Sequence, residues 1–273
     1  MTDSTLETVL RRDRLVVAGA LGVIAALAWG YMLWLADDMD MGGMDMTGFR
    51  MIPAGIGIMA PASAPWRAIE FAFVFAMWSV MMVGMMAPSA APMILIYARL
   101  GRQAKSAGKP FAATGWFAAG YFLVWIGFAL AATFVQWMLE RTALLDSRMA
   151  SASNMFGAIV LIAAGIYQWT PLKDVCLAQC RSPFQFLMRY GGFRGDVPGC
   201  LLLGLRQGAY CLGCCWFLMV LLFVGGVMNV LWIAFLALLV FLEKLTPYGR
   251  WVARVAGIAC VAAGAQILLS SPQ

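Results

Sequence analysis

Hydrophobic and polar positions along this chain fall into long blocks, without the short alternation of a half-buried strand. Apolar runs cover about Leu15 to Ala36, Ala68 to Tyr97, Phe111 to Leu139, Asn154 to Trp169, Gly199 to Phe223, Val227 to Leu242 and Trp251 to Leu269. Most of them approach or exceed the ~20 apolar residues that a helix needs to cross a bilayer. The pattern predicts an all-α polytopic membrane helix bundle with about seven transmembrane helices. Trp29, Tyr31 and Trp34 close the first run as an interfacial aromatic belt. Pro88 and Pro92 lie inside the second run and are expected to break or kink it. Gly225 and Gly226 mark a tight turn between the fifth and sixth runs.

The polar links carry the topology. With the N-terminus cytoplasmic, fifteen of the nineteen Lys and Arg fall on the cytoplasmic side, leaving only Arg50, Arg67, Arg141 and Arg148 outside. Residues 1–273 then form one integral membrane domain, with an Asp/Met-rich external loop at 37–67 and a cytoplasmic loop at 170–198. No small-residue cleavage site follows the first run, so it reads as a retained span.

Composition narrows the function. The chain is 63% hydrophobic and its mean hydropathy is +0.84, far from the balance of a soluble domain. The net charge of +6 is what the positive-inside bias produces, and a nucleic-acid partner is rejected on that ground. Histidine is absent, which argues against a zinc hydrolase or a copper or iron oxygenase built from this chain alone. Seven cysteines, an odd number, do not read as a disulfide framework.

The sulfur-bearing residues are patterned. Cys211, Cys214 and Cys215 are spaced i, i+3, i+4 and share one face of a helix, and Met219 continues that stripe. In the second run, Met81/Met85 and Met82/Met86 are i, i+4 pairs beside Gly84, just before the proline-interrupted stretch. Buried Cys and Met also serve as ordinary packing residues. Three thiols within five residues, in phase with a thioether, are the soft-donor set that selects Cu(I), with other soft metals as alternatives. The motif W-x-x-M recurs at Trp78/Met81 and Trp216/Met219, and an inverted repeat would bring the two stripes together.

Two further groups extend the idea. Met39, Met41, Met44 and Met46 alternate with Asp37, Asp38, Asp40 and Asp45 in the external loop, a composition suited to capturing a soft cation. Cys176 and Cys180 share a face if their segment is helical, and two thiolates fit a transfer or partner-shared site better than a closed zinc site. Glu243 and Lys244 close the sixth run near the level of Arg206. A Glu243–Arg206 ion pair is the default expectation, and a gate at the cytosolic mouth the alternative.

Three motifs taken together are specific: W-x2-M-M-x2-M-M-x-P, then Y-Q-x-T-P-L-K-x2-C-L-x2-C-R-x-P, then Y-C-L-G-C-C-W-x2-M followed by G-V-M-N and E-K-L. From about Ala68 to Arg250 the chain resembles an uncharacterised bacterial family of predicted metal-binding integral membrane proteins (domain of unknown function 2182). The resemblance falls on Trp78, Met81, Met82, Met85, Met86, Pro88, Lys173, Cys176, Cys180, Cys211, Cys214, Cys215, Trp216, Met219, Met228, Glu243 and Lys244. It implies a metal-binding membrane protein of unassigned activity; copper is the inference from the sulfur donors, and the bacterial inner membrane is the expected location. The expected function is Cu(I) binding and handling, with membrane lipid around the protein and a copper enzyme or copper chaperone as partner. A thiol–disulfide membrane oxidoreductase and a non-catalytic membrane subunit are the alternatives. No catalytic residue is assigned.

Overall fold

A computed structural model of the chain describes residues 3–39, 49–54, 59–61, 64–106, 114–142, 144–145, 149–150 and 153–270. It is a helical bundle: α1 Asp3–Met39, α2 Ala68–Ser106, α3 Thr114–Arg141, α4 Asn154–Tyr167, α5 Pro171–Arg181, α6 Pro183–Arg189, α7 Val197–Val220, α8 Leu222–Gly225, α9 Val230–Leu245 and α10 Gly249–Ser270. Between α1 and α2 two short strands, β1 Phe49–Met51 and β2 Met59–Pro61, pair antiparallel. Met41, Met44 and Met46 lie outside the described residues, and Met39 is described only as the last residue of α1.

Five stretches are long and apolar enough to cross a membrane: Leu15–Asp38, Ala68–Ala104, Thr114–Arg141, Val197–Gly225 and Gly249–Ser270. The fourth and sixth apolar runs differ from the expectation. α4 has 14 residues and α9 has 16, so at ~1.5 Å per residue each is about 21–24 Å long, short of a ~30 Å hydrocarbon core. α4 continues into α5 through a 64° bend, and the bent pair would bring the count to six. Pro88 and Pro92 do not interrupt α2, which runs as one helix past both of them.

The largest change concerns residues 170–198. Thr170 caps α5 by accepting from the Lys173 backbone N–H at 3.4 Å, and Pro171 fills the first turn. α5 then packs along α7 and also touches α9. Its inner face buries Lys173, Cys176 and Leu177. The segment expected as a loop in the cytosol is therefore a helix folded back onto the bundle core.

Two close approaches align the rest. α3 and α7 pack backbone to backbone: a Cβ on Gly204 would strike the Phe117 carbonyl oxygen, and one on Gly120 would strike that of Leu201. This contact carries Tyr121, one turn beyond Phe117, against the thiol face of α7. α4 packs on α10, α2 on α1 and α3, and α9 on α2. Trp78, Trp125, Tyr97, Tyr121 and Phe117 are the bulkiest buried side chains of the core that results.

Candidate metal centre

On α7, Cys211, Cys214 and Cys215 are all buried, each 2% exposed or less. The Cys214 and Cys215 thiols both turn back and donate to the Cys211 carbonyl, at 3.0 Å each. The Cys211 sulfur has two partners from other helices. The Lys244 Nζ donates to it at 2.8 Å, and the Tyr121 hydroxyl meets it at 2.8 Å. Lys244 reaches Cys215 Sγ at 3.7 Å, Met86 Sδ at 3.9 Å and Ser89 Oγ at 3.5 Å. An ammonium 7% exposed thus sits among two cysteine sulfurs, a thioether and a hydroxyl.

α5 delivers two more thiols. Cys176 presses on Gly213, whose Cβ would lie 2.8 Å from the Cys176 sulfur. Cys180, half-buried, lines the same cavity as Cys211. The C-x3-C pair therefore adjoins the α7 thiols. Among the described residues all seven cysteines are free. No three Cys, Asp or Glu side chains among the described residues stand ready to hold a metal ion together.

The methionine stripe of α2 is buried throughout, with Met81, Met82 and Met86 at 0% and Met85 at 3% exposed. Met86 is the member that touches the lysine. Met219 is fully buried on α7. The two W-x-x-M motifs are not equivalent. Trp78 is buried, donates to Gln136 Oε1 at 2.7 Å and packs on Phe223. Trp216 is 37% exposed, beside Tyr167.

The expected Glu243–Arg206 pair is replaced. Glu243 Oε2 accepts from Lys173 Nζ at 2.7 Å with both side chains 1% exposed, and Gln168 Nε2 donates to its other oxygen at 3.3 Å. Arg206 is exposed and lies over the Tyr190 ring, 4.7 Å from its centroid. Glu243 and Lys244 are neighbours in sequence yet serve different partners: one clamps α5, the other enters the thiol cluster. Tyr121, Ser89, Gln168 and Gln207 carry no recognisable spacing in the sequence. α5 did leave a signal, since Thr170-Pro171 with Asp174 in the first turn is a helix start.

A cavity of about 230 Å³ adjoins this cluster, lined among others by Ser89, Tyr121, Cys180, Arg181, Gln207, Cys211 and Lys244.

Fold and site together define a helical protein with several spans apolar enough for a membrane and a buried cluster of thiols and thioethers around the Lys244 ammonium. A family model described as copper chaperone (PpoB2) matches residues 75–267. That is more than half of the chain and includes every residue of the cluster, so the chain belongs to this copper chaperone family. No curated protein and no solved structure matches it.

Proposed function

We propose that the protein handles Cu(I) as cargo inside the membrane, holding it on Cys211 with Cys215 or Cys180 and handing it to a copper enzyme or a second chaperone. The observation that carries this reading is the contact of Lys244 with Cys211 at 2.8 Å in a buried site. A buried ammonium is costly unless an anion balances it. The groups within its reach are sulfurs and a hydroxyl, and of these the Cys211 thiolate is the anion that balances it. A thiolate is also the form that binds metal.

The donor set fits Cu(I). Thiolates and thioethers select a soft ion, and Cu(I) is satisfied by two or three such donors, so the pair of Cys211 and one neighbour suffices. Two thiolates on Cu(I) leave one net negative charge, which the lysine would neutralise by moving aside without leaving the site. Met86 and Met219 supply further soft surface. The Asp/Met segment with Met39, Met41, Met44 and Met46 captures the ion first, and Cys176 and Cys180 exchange it.

The chain spans the bacterial inner membrane with a cytoplasmic N-terminus, supported by the division of Lys and Arg between the two sides. α4 and α9 complete seven crossings despite their shortness, which a bilayer accommodates by local thinning. Purification in detergent under anaerobic, reducing conditions, followed by metal analysis by mass spectrometry, tests the copper reading. Near-stoichiometric copper is expected, and its loss in a Cys211/Cys214/Cys215→Ser variant. Absence of copper in both proteins after Cu(I) loading would sink it.

A further inference from the structure

The cavity beside the cluster is far larger than a bare ion requires, since a water claims only about 30 Å³ of liquid. It approaches the lower end of pockets that take small molecules. Its polar lining has a definite sign. Lys244 is balanced by the Cys211 thiolate, Arg181 contributes the positive charge that remains, and no carboxylate among the described residues lines it. The Arg181 guanidinium is fixed in place, donating to the carbonyls of Thr246 at 2.7 Å and Pro247 at 2.8 Å. Gln207, 4% exposed, presents a side-chain oxygen that has no hydrogen-bond partner among the described residues. A buried acceptor left unpaired calls for a donor. Two thiols, Cys180 and Cys211, share the same wall.

We propose that this cavity is a docking site for a small thiol of amino-acid size bearing a carboxylate and an ammonium, the carrier that brings Cu(I) to Cys211. The inference rests on the copper reading above and adds the chemical form of the cargo. The carboxylate meets Arg181, an arrangement that suits a guanidinium. The ammonium donates to the Gln207 oxygen. The carrier's sulfur, with copper on it, then faces Cys211. Transfer is ligand exchange: the copper–sulfur bond to the carrier breaks as one to the Cys211 thiolate forms. Cys180 gives its proton to the departing thiolate and becomes the second ligand. Copper remains Cu(I), the carrier leaves as a neutral thiol, and no oxidant is needed.

The test uses the full-length protein in detergent, kept anaerobic, with Cu(I) supplied as complexes of L-cysteine, 3-mercaptopropionate or cysteamine. Uptake rates are measured by stopped-flow loss of the complex, and equilibrium affinity separately by competition with a Cu(I)-chelating dye. L-Cysteine and 3-mercaptopropionate should load the protein at least about tenfold faster than cysteamine, which lacks the carboxylate. R181Q should erase that advantage while dye competition stays unchanged. Q207L should slow loading from L-cysteine and leave 3-mercaptopropionate unaffected. Equal rates from all three carriers in the unaltered protein would overturn the proposal, whatever the variants do. Copper uptake from the dye complex with no carrier preference overturns the carrier alone. No uptake from any source overturns the copper reading and the carrier with it.

Discussion

The Lys244 ammonium lies 2.8 Å from the Cys211 sulfur, on a side chain only 7% exposed. On the copper reading proposed above, it gives the Cys211 thiolate its counter-charge where water cannot. If that charge also balances a cuprous ion held by two thiolates, losing Lys244 should matter most in the loaded state. Lys244→Met should leave the metal-free protein about as stable as before, because Cys211, once its counter-ion is gone, takes up a proton and packs as a neutral thiol. Its Cu(I) affinity should fall by about a hundredfold or more, the scale on which removing one partner of a buried charge pair acts. Dye competition and thermal unfolding in detergent, run on the same samples, check both halves. Unchanged affinity would exclude the counter-ion role.

The Tyr121 hydroxyl meets the same sulfur from α3 at 2.8 Å. A hydrogen bond to a charged group contributes about 1.5–3 kcal/mol. Tyr121→Phe, which keeps the ring, should therefore weaken Cu(I) binding by roughly tenfold or more with little change in unfolding temperature. An effect on unfolding temperature without an effect on affinity would assign the tyrosine to packing.

Lys173 and Glu243 join α5 to α9 at 2.7 Å in a fully buried pair. Removing one partner leaves the other charge unpaired, at a cost of about 3–5 kcal/mol, whereas removing both is far milder. Lys173→Met should lower the unfolding temperature sharply, and Lys173→Met/Glu243→Leu should recover most of the loss. Additive losses in the double variant would show that the two residues act separately.

Arg206 offers the contrast. Its exposed guanidinium over Tyr190 contributes at most about 0.5–1 kcal/mol, so Arg206→Ala should leave copper affinity and unfolding temperature nearly unchanged. A large loss would restore a role for it at the Glu243 end of the bundle.

The thiol face of α7 was legible in the sequence because i, i+3, i+4 spacing puts Cys211, Cys214 and Cys215 together on any helix. The fate of Cys176 and Cys180 was not. Lys173, Asp174, Gln179 and Arg181 make their segment polar by composition, so hydropathy assigns it to water. The structure neutralises Lys173 with Glu243 and gives Arg181 two carbonyls, which lets a polar helix pack inside. Such a pairing joins residues about seventy positions apart, and no local pattern announces it. The same holds for Tyr121, one aromatic among many in α3 until Gly120 and Gly204 bring that helix against α7.

That close approach makes the last prediction. A Cβ at Gly204 would collide with the Phe117 carbonyl, a backbone atom that cannot rotate away, so Gly204→Ala must push α3 from α7. Tyr121 follows Phe117 by one helical turn, and its hydroxyl would leave the Cys211 sulfur with it. Gly204→Ala should therefore lower the unfolding temperature and also weaken Cu(I) binding, although residue 204 touches no sulfur. If the binding loss runs through the tyrosine, Gly204→Ala/Tyr121→Phe should bind copper no more weakly than Gly204→Ala alone. Full additivity of the two losses in dye competition would mean that the helix contact reaches the thiols by another route.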